Sequence, residues 1–276
     1  MTDDQMAALA DALLAARARA ELMALPSGRP AGLTLADAYQ VAEATAASRE
    51  AAGERPAGWK IGFTNRSIWA RYQVFQPIWA RVWDTTLSHL KRADVEVEVP
   101  LAGLVQPRLE PEIVFGFKAD ADAGMDEAAL LDSIHWVAHG VEIVHTHYDG
   151  WRFGGAPDTV ADFGLHGSLH VGPRVPPWPG MAADLAALTL RLHRGEAGAE
   201  QIVDLGQGAL VLDGPVQALR EWLGAMAAQT PHWRVSAGDV VTTGTLTDAW
   251  PVRPGERWRT ELDDPRLPGL TLRFVG

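Results

Sequence analysis

Three glutamates in this chain are spaced so that they could hold a divalent cation. Glu110 and Glu112 stand two apart in Arg-Leu-Glu-Pro-Glu-Ile-Val-Phe, and in a strand side chains two apart project from one face. Glu142 lies in Gly-Val-Glu-Ile-Val. Both stretches run straight into apolar residues (Ile113, Val114 and Phe115; Ile143 and Val144), as strands entering a core do. Carboxylates gathered at a partly buried spot repel one another and are costly to desolvate. A cation removes that cost, and an all-oxygen donor set suits Mg²⁺ or Mn²⁺. The same spacing also marks the wet face of a strand, the reading given to Glu96 and Glu98 between Val95, Val97 and Val99. Spacing alone therefore leaves both readings open. Pro111 lacks a ladder donor and favours a strand edge or a bulge, where a site can open.

Other residues could complete such a site. Lys60 sits in an apolar, glycine-flanked strand, where it could orient a substrate carboxylate or act as an acid–base group if burial lowers its pKa; a snorkelling surface lysine is the alternative. Asp158 and Thr159 follow the loop Gly154-Gly155-Ala156-Pro157, whose composition lets backbone and short polar groups approach a ligand. Gly244-Thr245 ends a strand in a glycine turn that could receive a carboxylate. His145 and His147 are expected to be structural, because three residues separate Glu142 from His145 and an ideal strand points the two apart. No Gly-x-Ser-x-Gly elbow and no His-Glu-x-x-His is present, which argues against a serine hydrolase or a zincin.

The elements that must position these residues read as α+β. Helical periodicity runs from Asp3 to about Leu25, and a second helix follows Thr34 to about Ala52. Strands are expected at 58–64, 95–99, around Glu110, around Glu142, at 186–194, 238–245 and 270–274. Helices are expected at 67–74, from Asp126 to about Ala138, and at 215–228. Many short strands with few helices between them suggest a mixed β-rich core rather than a doubly wound sheet. The expected division is a helical region over 1–57 and a catalytic domain over 58–276.

Composition narrows the partners. The formal net charge of −11 over 276 residues argues against nucleic acid or an anionic membrane as partner, while leaving room for an anionic small molecule in a local cationic pocket. With no cysteine, disulfides, thiolate metal sites and cysteine nucleophiles are excluded. The acidic start Met-Thr-Asp-Asp-Gln lacks the features of a signal peptide, and no stretch has transmembrane character, so a cytoplasmic location is expected. The 11 tryptophans are read as core or interface packing in preference to ligand stacking.

Six motifs occur in one order: Gly58-Trp59-Lys60-Ile61-Gly62-Phe63-Thr64, Glu110-Pro111-Glu112-Ile113, Val141-Glu142-Ile143-Val144, Asp158-Thr159-Val160-Ala161-Asp162, Val211-Leu212-Asp213-Gly214-Pro215 and Gly238-Asp239-Val240-Val241. Together they resemble the 2-keto-4-pentenoate hydratase and 4-oxalocrotonate decarboxylase family of the fumarylacetoacetate hydrolase superfamily, from about Leu33 to Val252. The resemblance implies a mixed β-roll core with a helical N-terminal region, and Mg²⁺ or Mn²⁺ held by Glu110, Glu112 and Glu142. It implies that Lys60 is the family lysine, with Asp84 and Asp158 as further acid–base candidates and Thr159, Gly244 and Thr245 near the substrate. The expected reaction is hydration of a 2-hydroxy-2,4-dienoate to a 4-hydroxy-2-oxo acid. The alternatives are decarboxylation of a 4-oxalocrotonate-type acid, acylpyruvate hydrolysis with His166 as the candidate histidine, and a non-catalytic partner subunit. A homo-oligomer is expected, with a complex with a related decarboxylase or hydratase as a further option. The chain departs from the family pattern at Pro77-Ile78-Trp79-Ala80, at His145 and His147, and at Phe163-Gly164-Leu165-His166.

Overall fold

The computed structural model describes residues 1–29 and 32–276. The chain opens with helices α1 (Asp3–Arg19) and α2 (Leu35–Ala51). Thr2 with Gln5 and Thr34 with Asp37 form capping boxes that satisfy the first orphan N–H groups of the two helices. The alternation of apolar residues that follows builds β1 (Pro56–Gly62), then α3 (Trp69–Tyr72), β2 (Ile78–Trp83), β3 (Leu87–His89), β4 (Glu96–Pro100) and β5 (Arg108–Phe117). Next come α4 (Glu127–Ser133), β6 (Ile134–Val144), α5 (Ala156–Ala161), β7 (His166–Val171), α6 (Met181–Ala187), β8 (Thr189–Arg194) and β9 (Gln201–Gln207). The chain closes with α7 (Pro215–Gln229), β10 (Val240–Thr245), β11 (Trp250–Pro251), β12 (Arg257–Leu262) and β13 (Thr271–Val275).

Two mixed sheets result. The larger runs β2-β1-β10-β5-β6-β7-β3, with β11 beside β5; the smaller runs β4-β13-β12-β8-β9. β1 with β10, β3 with β7 and β4 with β13 are parallel, and the other pairs are antiparallel. A single buried cluster joins Leu9, Leu13, Tyr39 and Val41 of the two N-terminal helices to Trp59, Ile61 and Trp79 of the large sheet. Tyr39 stacks on Trp79 with ring centroids 4.5 Å apart. Trp59, Trp79, Trp83, Trp136, Trp222 and Trp258, six of the eleven tryptophans, are buried, so most of the tryptophan content is packing, as expected.

Several expected boundaries move. Helix α1 stops at Arg19 because Ala20 turns left-handed (φ 51°), rather than running to Leu25. The helix expected over 126–138 ends at Ser133, since Ile134, Trp136 and Val137 are strand formers that pair across to β5. Residues 186–187, expected as strand, close α6 instead. Pro111 does not sit at an edge. It lies within β5, an interior strand, and the register irregularity falls on the facing strand β10, where Thr242 pairs with Val114 but Thr245 pairs with Glu112.

Candidate active site

Strand register alone gathers the site. Glu110 and Glu142 are directly opposed across β5 and β6, and Glu112 is opposed by Gly140, so the three carboxylates share one face. Lys60 pairs with Thr242, and Thr242 with Val114, which puts the lysine on that same face two strands away. Like charges directly opposite across a ladder are destabilising, so the pairing of Glu110 with Glu142 calls for a cation between them.

One oxygen of each glutamate lies within 4.8 Å of the other two. Glu112 and Glu142 are fully buried, and Glu110 opens onto a cavity of about 110 Å³. Glu112 Oε2 accepts hydrogen bonds from Thr242 Oγ1 and, at 2.7 Å, from the Gly244 N–H, leaving Oε1 without any partner. Glycine is required at 244: its φ is +101°, and a Cβ there would meet Thr64 Oγ1 at 1.9 Å. The bulge in β10 thus turns a backbone donor onto the carboxylate. Glu142 Oε1 accepts from His166 Nδ1 at 2.7 Å, while its Oε2 lies 3.3 Å from Lys60 Nζ with no hydrogen bond. Two buried carboxylate oxygens held in place without a hydrogen bond among the described residues, in an all-oxygen cluster, fit a hard divalent cation.

Electrostatics agree. Burial, with Glu142 adding to it, pushes the Glu110 carboxyl up to about 7. Burial and the other two glutamates drive Glu112 well above the carboxylate range. Burial also opposes charge on Glu142, but Lys60 and His166 outweigh it and hold that carboxyl below its ordinary range. For Lys60 the outcome reverses one sequence expectation. Burial works against its ammonium, yet the three glutamates prevail and the pKa is raised, so without a bound cation Lys60 is a charged group and not a neutral base.

A pH signature follows for the metal-free protein. Glu110 goes from an ordinary 4.5 to about 7 on folding, so the folded state binds the extra proton between those values. Its contribution to stability is present below the lower value and is lost as pH rises through the higher one. Thermal unfolding of metal-stripped protein should show stability falling across that window, and the rise in Tm on adding Mn²⁺ should be larger above pH ~7 than at pH ~5. A metal-induced shift of equal size at both would contradict the assignment.

The cavity is lined by Lys60, Phe63, Asn65, Tyr72, Arg108, Glu110, Trp151, Phe153, Gly244 and Thr245 among others. Gly244 and Thr245 are therefore where the sequence reading placed them, although the Thr245 hydroxyl is turned back onto the Thr247 carbonyl at 3.0 Å. Asp84, Asp158 and Thr159 do not line it. Asp84 is exposed and accepts from the Arg55 N–H. Asp158 is buried, and its carboxylate accepts from Ser27 N, Ser27 Oγ and Gly154 N at 2.6–2.9 Å, which ties two loops together. The Thr159 hydroxyl bonds the Ala156 carbonyl. His145 and His147 stand outside the glutamate cluster, His147 bound to Asp162 at 2.5 Å. His166 engages Glu142 with one nitrogen and Thr86 Oγ1 with the other, at 2.8 Å, so neither nitrogen is free to activate water.

One site feature escaped the sequence reading. Arg108 continues the parity of Glu110 and Glu112, a signal that was present in the spacing. Its guanidinium lies over the Trp151 ring, 4.1 Å from the centroid, and has no carboxylate within ion-pair distance among the described residues. Arg108 and Trp151 also line an open outer groove of about 660 Å³, so they stand at the seam between the cavity and the surface. The turn 163–166, where the sequence departs from the family pattern, supplies the Gly164 carbonyl to Lys60 Nζ at 2.9 Å and the His166 imidazole to Glu142.

The chain is 31% identical over 231 residues to the 2-hydroxyhexa-2,4-dienoate hydratase of Comamonas testosteroni, a match spanning 82% of this chain and 81% of that protein. The chain belongs to the 2-keto-4-pentenoate hydratase and 4-oxalocrotonate decarboxylase family. It is also 29% identical over 233 residues to a 4-oxalocrotonate decarboxylase of a Pseudomonas species, 84% of each chain. The solved 4-oxalocrotonate decarboxylase of Pseudomonas putida G7, complexed with magnesium and adipate, superposes with a TM-score of 0.88 at 25% identity, over 100% of this chain and 99% of that one. No protein-family model matches the chain. The β-roll with helical N-terminal region expected of this family is the architecture found, and membership with the acidic cluster makes the chain a lyase-type enzyme. No helix among the described residues is long and apolar enough to cross a membrane.

Proposed function

We propose that this chain is a divalent-metal-dependent lyase of aromatic catabolism that decarboxylates a small 2-oxo enedioic acid, with Glu110, Glu112 and Glu142 holding Mg²⁺ or Mn²⁺. The observation that carries the diacid reading is Arg108, a half-buried guanidinium on the glutamate face of the strand that has no counter-ion among the described residues. It sits one side-chain step, roughly 7 Å, outward from Glu110. A substrate whose single carboxylate lies against the glutamate site has no use for a second cation at that distance, whereas a six-carbon diacid does. The adipate in the decarboxylase structure from Pseudomonas putida G7 is a ligand of that kind.

When bound, the ion supplies Lewis-acid stabilisation of negative charge on the substrate oxygen at C2. This chain's residues do the rest. Gly244 N–H and Thr242 hold Glu112, and His166 holds Glu142, so the oxygen donors are preorganised. Arg108 receives the far carboxylate, and Phe63, Tyr72, Trp151 and Phe153 exclude water from the chain between the two ends. As the bond to the leaving carboxyl breaks, its electron pair passes into the conjugated 2-oxo system. A proton must then reach carbon, and the Lys60 ammonium at the cavity wall is the group placed to give it.

Hydration is the second reading, favoured by the 31% identity to a dienoate hydratase. It would use the same electron sink, with water adding to the conjugated alkene. Metal-stripped protein should be assayed with and without Mg²⁺ or Mn²⁺ on 4-oxalocrotonate and on 2-hydroxypenta-2,4-dienoate, following ultraviolet absorbance and trapped CO₂. Metal-dependent CO₂ release is the expected result. Metal-dependent loss of the dienoate without CO₂ would make the chain a hydratase.

A further inference from the structure

We infer that Arg17, on the N-terminal helix α1, is a positioning residue of the metal site: it clamps the turn that carries His166, and through His166 it sets the carboxylate of Glu142. The inference rests on the metal reading proposed above for the three glutamates.

The turn needs a clamp. Phe163, Gly164 and Leu165 have φ of 55°, 59° and 66°, three successive residues in the left-handed region, two of them bearing side chains. Such a conformation persists only where surrounding contacts over-determine it. At Gly164 a Cβ would meet the Ala80 Cβ at 2.6 Å, so the turn is also tightly seated against β2. Both of its contacts with the site depend on this shape: the Gly164 carbonyl accepts from Lys60, and the imidazole just past the turn donates to Glu142.

Arg17 holds the turn at both ends. Its guanidinium lies over the Phe163 ring at 4.9 Å from the centroid, and its Nη1 donates to the His166 carbonyl at 2.9 Å. The same Nη1 lies 2.9 Å from His145 Nε2, which ties the turn to the segment following β6, the strand of Glu142. No carboxylate of the described residues lies within ion-pair distance of Arg17. Burying a guanidinium without a counter-ion is costly, and here burial lowers its pKa to about 10. The planar guanidinium can donate to the His166 carbonyl while its face lies over the Phe163 ring, and a lysine ammonium has no such planar face.

The test is Mn²⁺ affinity of the metal-stripped protein, read from the free-ion EPR signal, which needs no substrate. Arg17→Met should weaken binding ~10-fold or more, the usual cost of losing an outer-shell partner, and Arg17→Lys should fall between that variant and the wild type. Arg19→Ala, on the same helix but exposed and paired with Glu21, should leave affinity unchanged. In a His166→Gln background, Arg17→Met should change affinity by no more than about twofold, because the path is already broken. Unchanged affinity in Arg17→Met would overturn the inference, and so would an equal loss in both backgrounds. Should Arg17→Met fail to fold, Arg17→Lys carries the same comparison. A wild type that does not bind Mn²⁺ would remove the metal reading, and this inference with it. A wild type that binds beside an unaltered Arg17 variant removes this inference alone.

Discussion

Glu112→Gln should lower metal-dependent kcat/KM by ~10³-fold while leaving the fold intact. The two halves of this expectation come from different atoms of one carboxylate. Oε2 is fixed by Thr242 and the Gly244 N–H, and a glutamine oxygen can take its place there with a rotation of the threonine hydroxyl. Oε1 is the buried, unpartnered oxygen, and in the variant an N–H₂ group faces the ion instead. Burial and the neighbouring glutamates already keep the Glu112 carboxyl neutral without metal, so glutamine replaces one neutral group by another and the metal-free variant should melt no lower than the metal-free wild type. Parallel measurement of turnover and Tm checks both. Retained turnover would remove Glu112 from the metal site. Lost turnover together with a large fall in Tm would recast it as a structural residue.

Lys60→Met should act on the same cluster in the opposite sense. The ammonium is the cation that holds Glu142 charged, 3.3 Å from its Oε2, and both groups are buried. Removing it leaves an uncompensated carboxylate, and metal-free protein should lose on the order of 3 kcal/mol. A bound divalent ion supplies the missing charge, so the deficit should shrink when Mn²⁺ is added, whereas turnover should stay ~10²-fold down because the proton donor at the cavity is gone. Chemical denaturation with and without Mn²⁺, set beside kcat, separates the two effects. A stability loss that Mn²⁺ does not reduce would mean that Lys60 and the ion do not share the glutamates. Full activity in the variant would remove Lys60 from the chemistry.

Local periodicity and residue type mark the three glutamates and the lysine as candidates and give most of the strands. Side chains two apart in a strand share a face whatever the rest of the fold does, so Glu110 and Glu112 had to project together, and Arg108 with them. The glycine at 244 was readable as a turn for the same reason, because few other residues accept its backbone angles. Acidic pairs alternating with apolar residues are nevertheless common on wet strand faces, and the glutamate reading rested on six motifs standing in a recognised order.

What the tertiary structure decided is everything that depends on register and on long-range approach. Glu110 opposes Glu142 only because β5 and β6 pair without a slip between Arg108 and Gly116, and a one-residue shift would have sent the third carboxylate to the other face. Asp158 looked as available as Glu112 in one dimension, yet its oxygens are consumed by Ser27 and Gly154, 131 and 4 residues distant. Lys60 keeps its charge because three carboxylates surround it, a balance no local window contains. Arg17 reaches the His166 turn across 149 residues of chain, and nothing in its Ala-rich helix sets it apart from Arg19. Periodicity follows from the covalent geometry of the chain and is legible locally, whereas the partner that a buried polar atom finds follows from packing and exists only once the chain has folded.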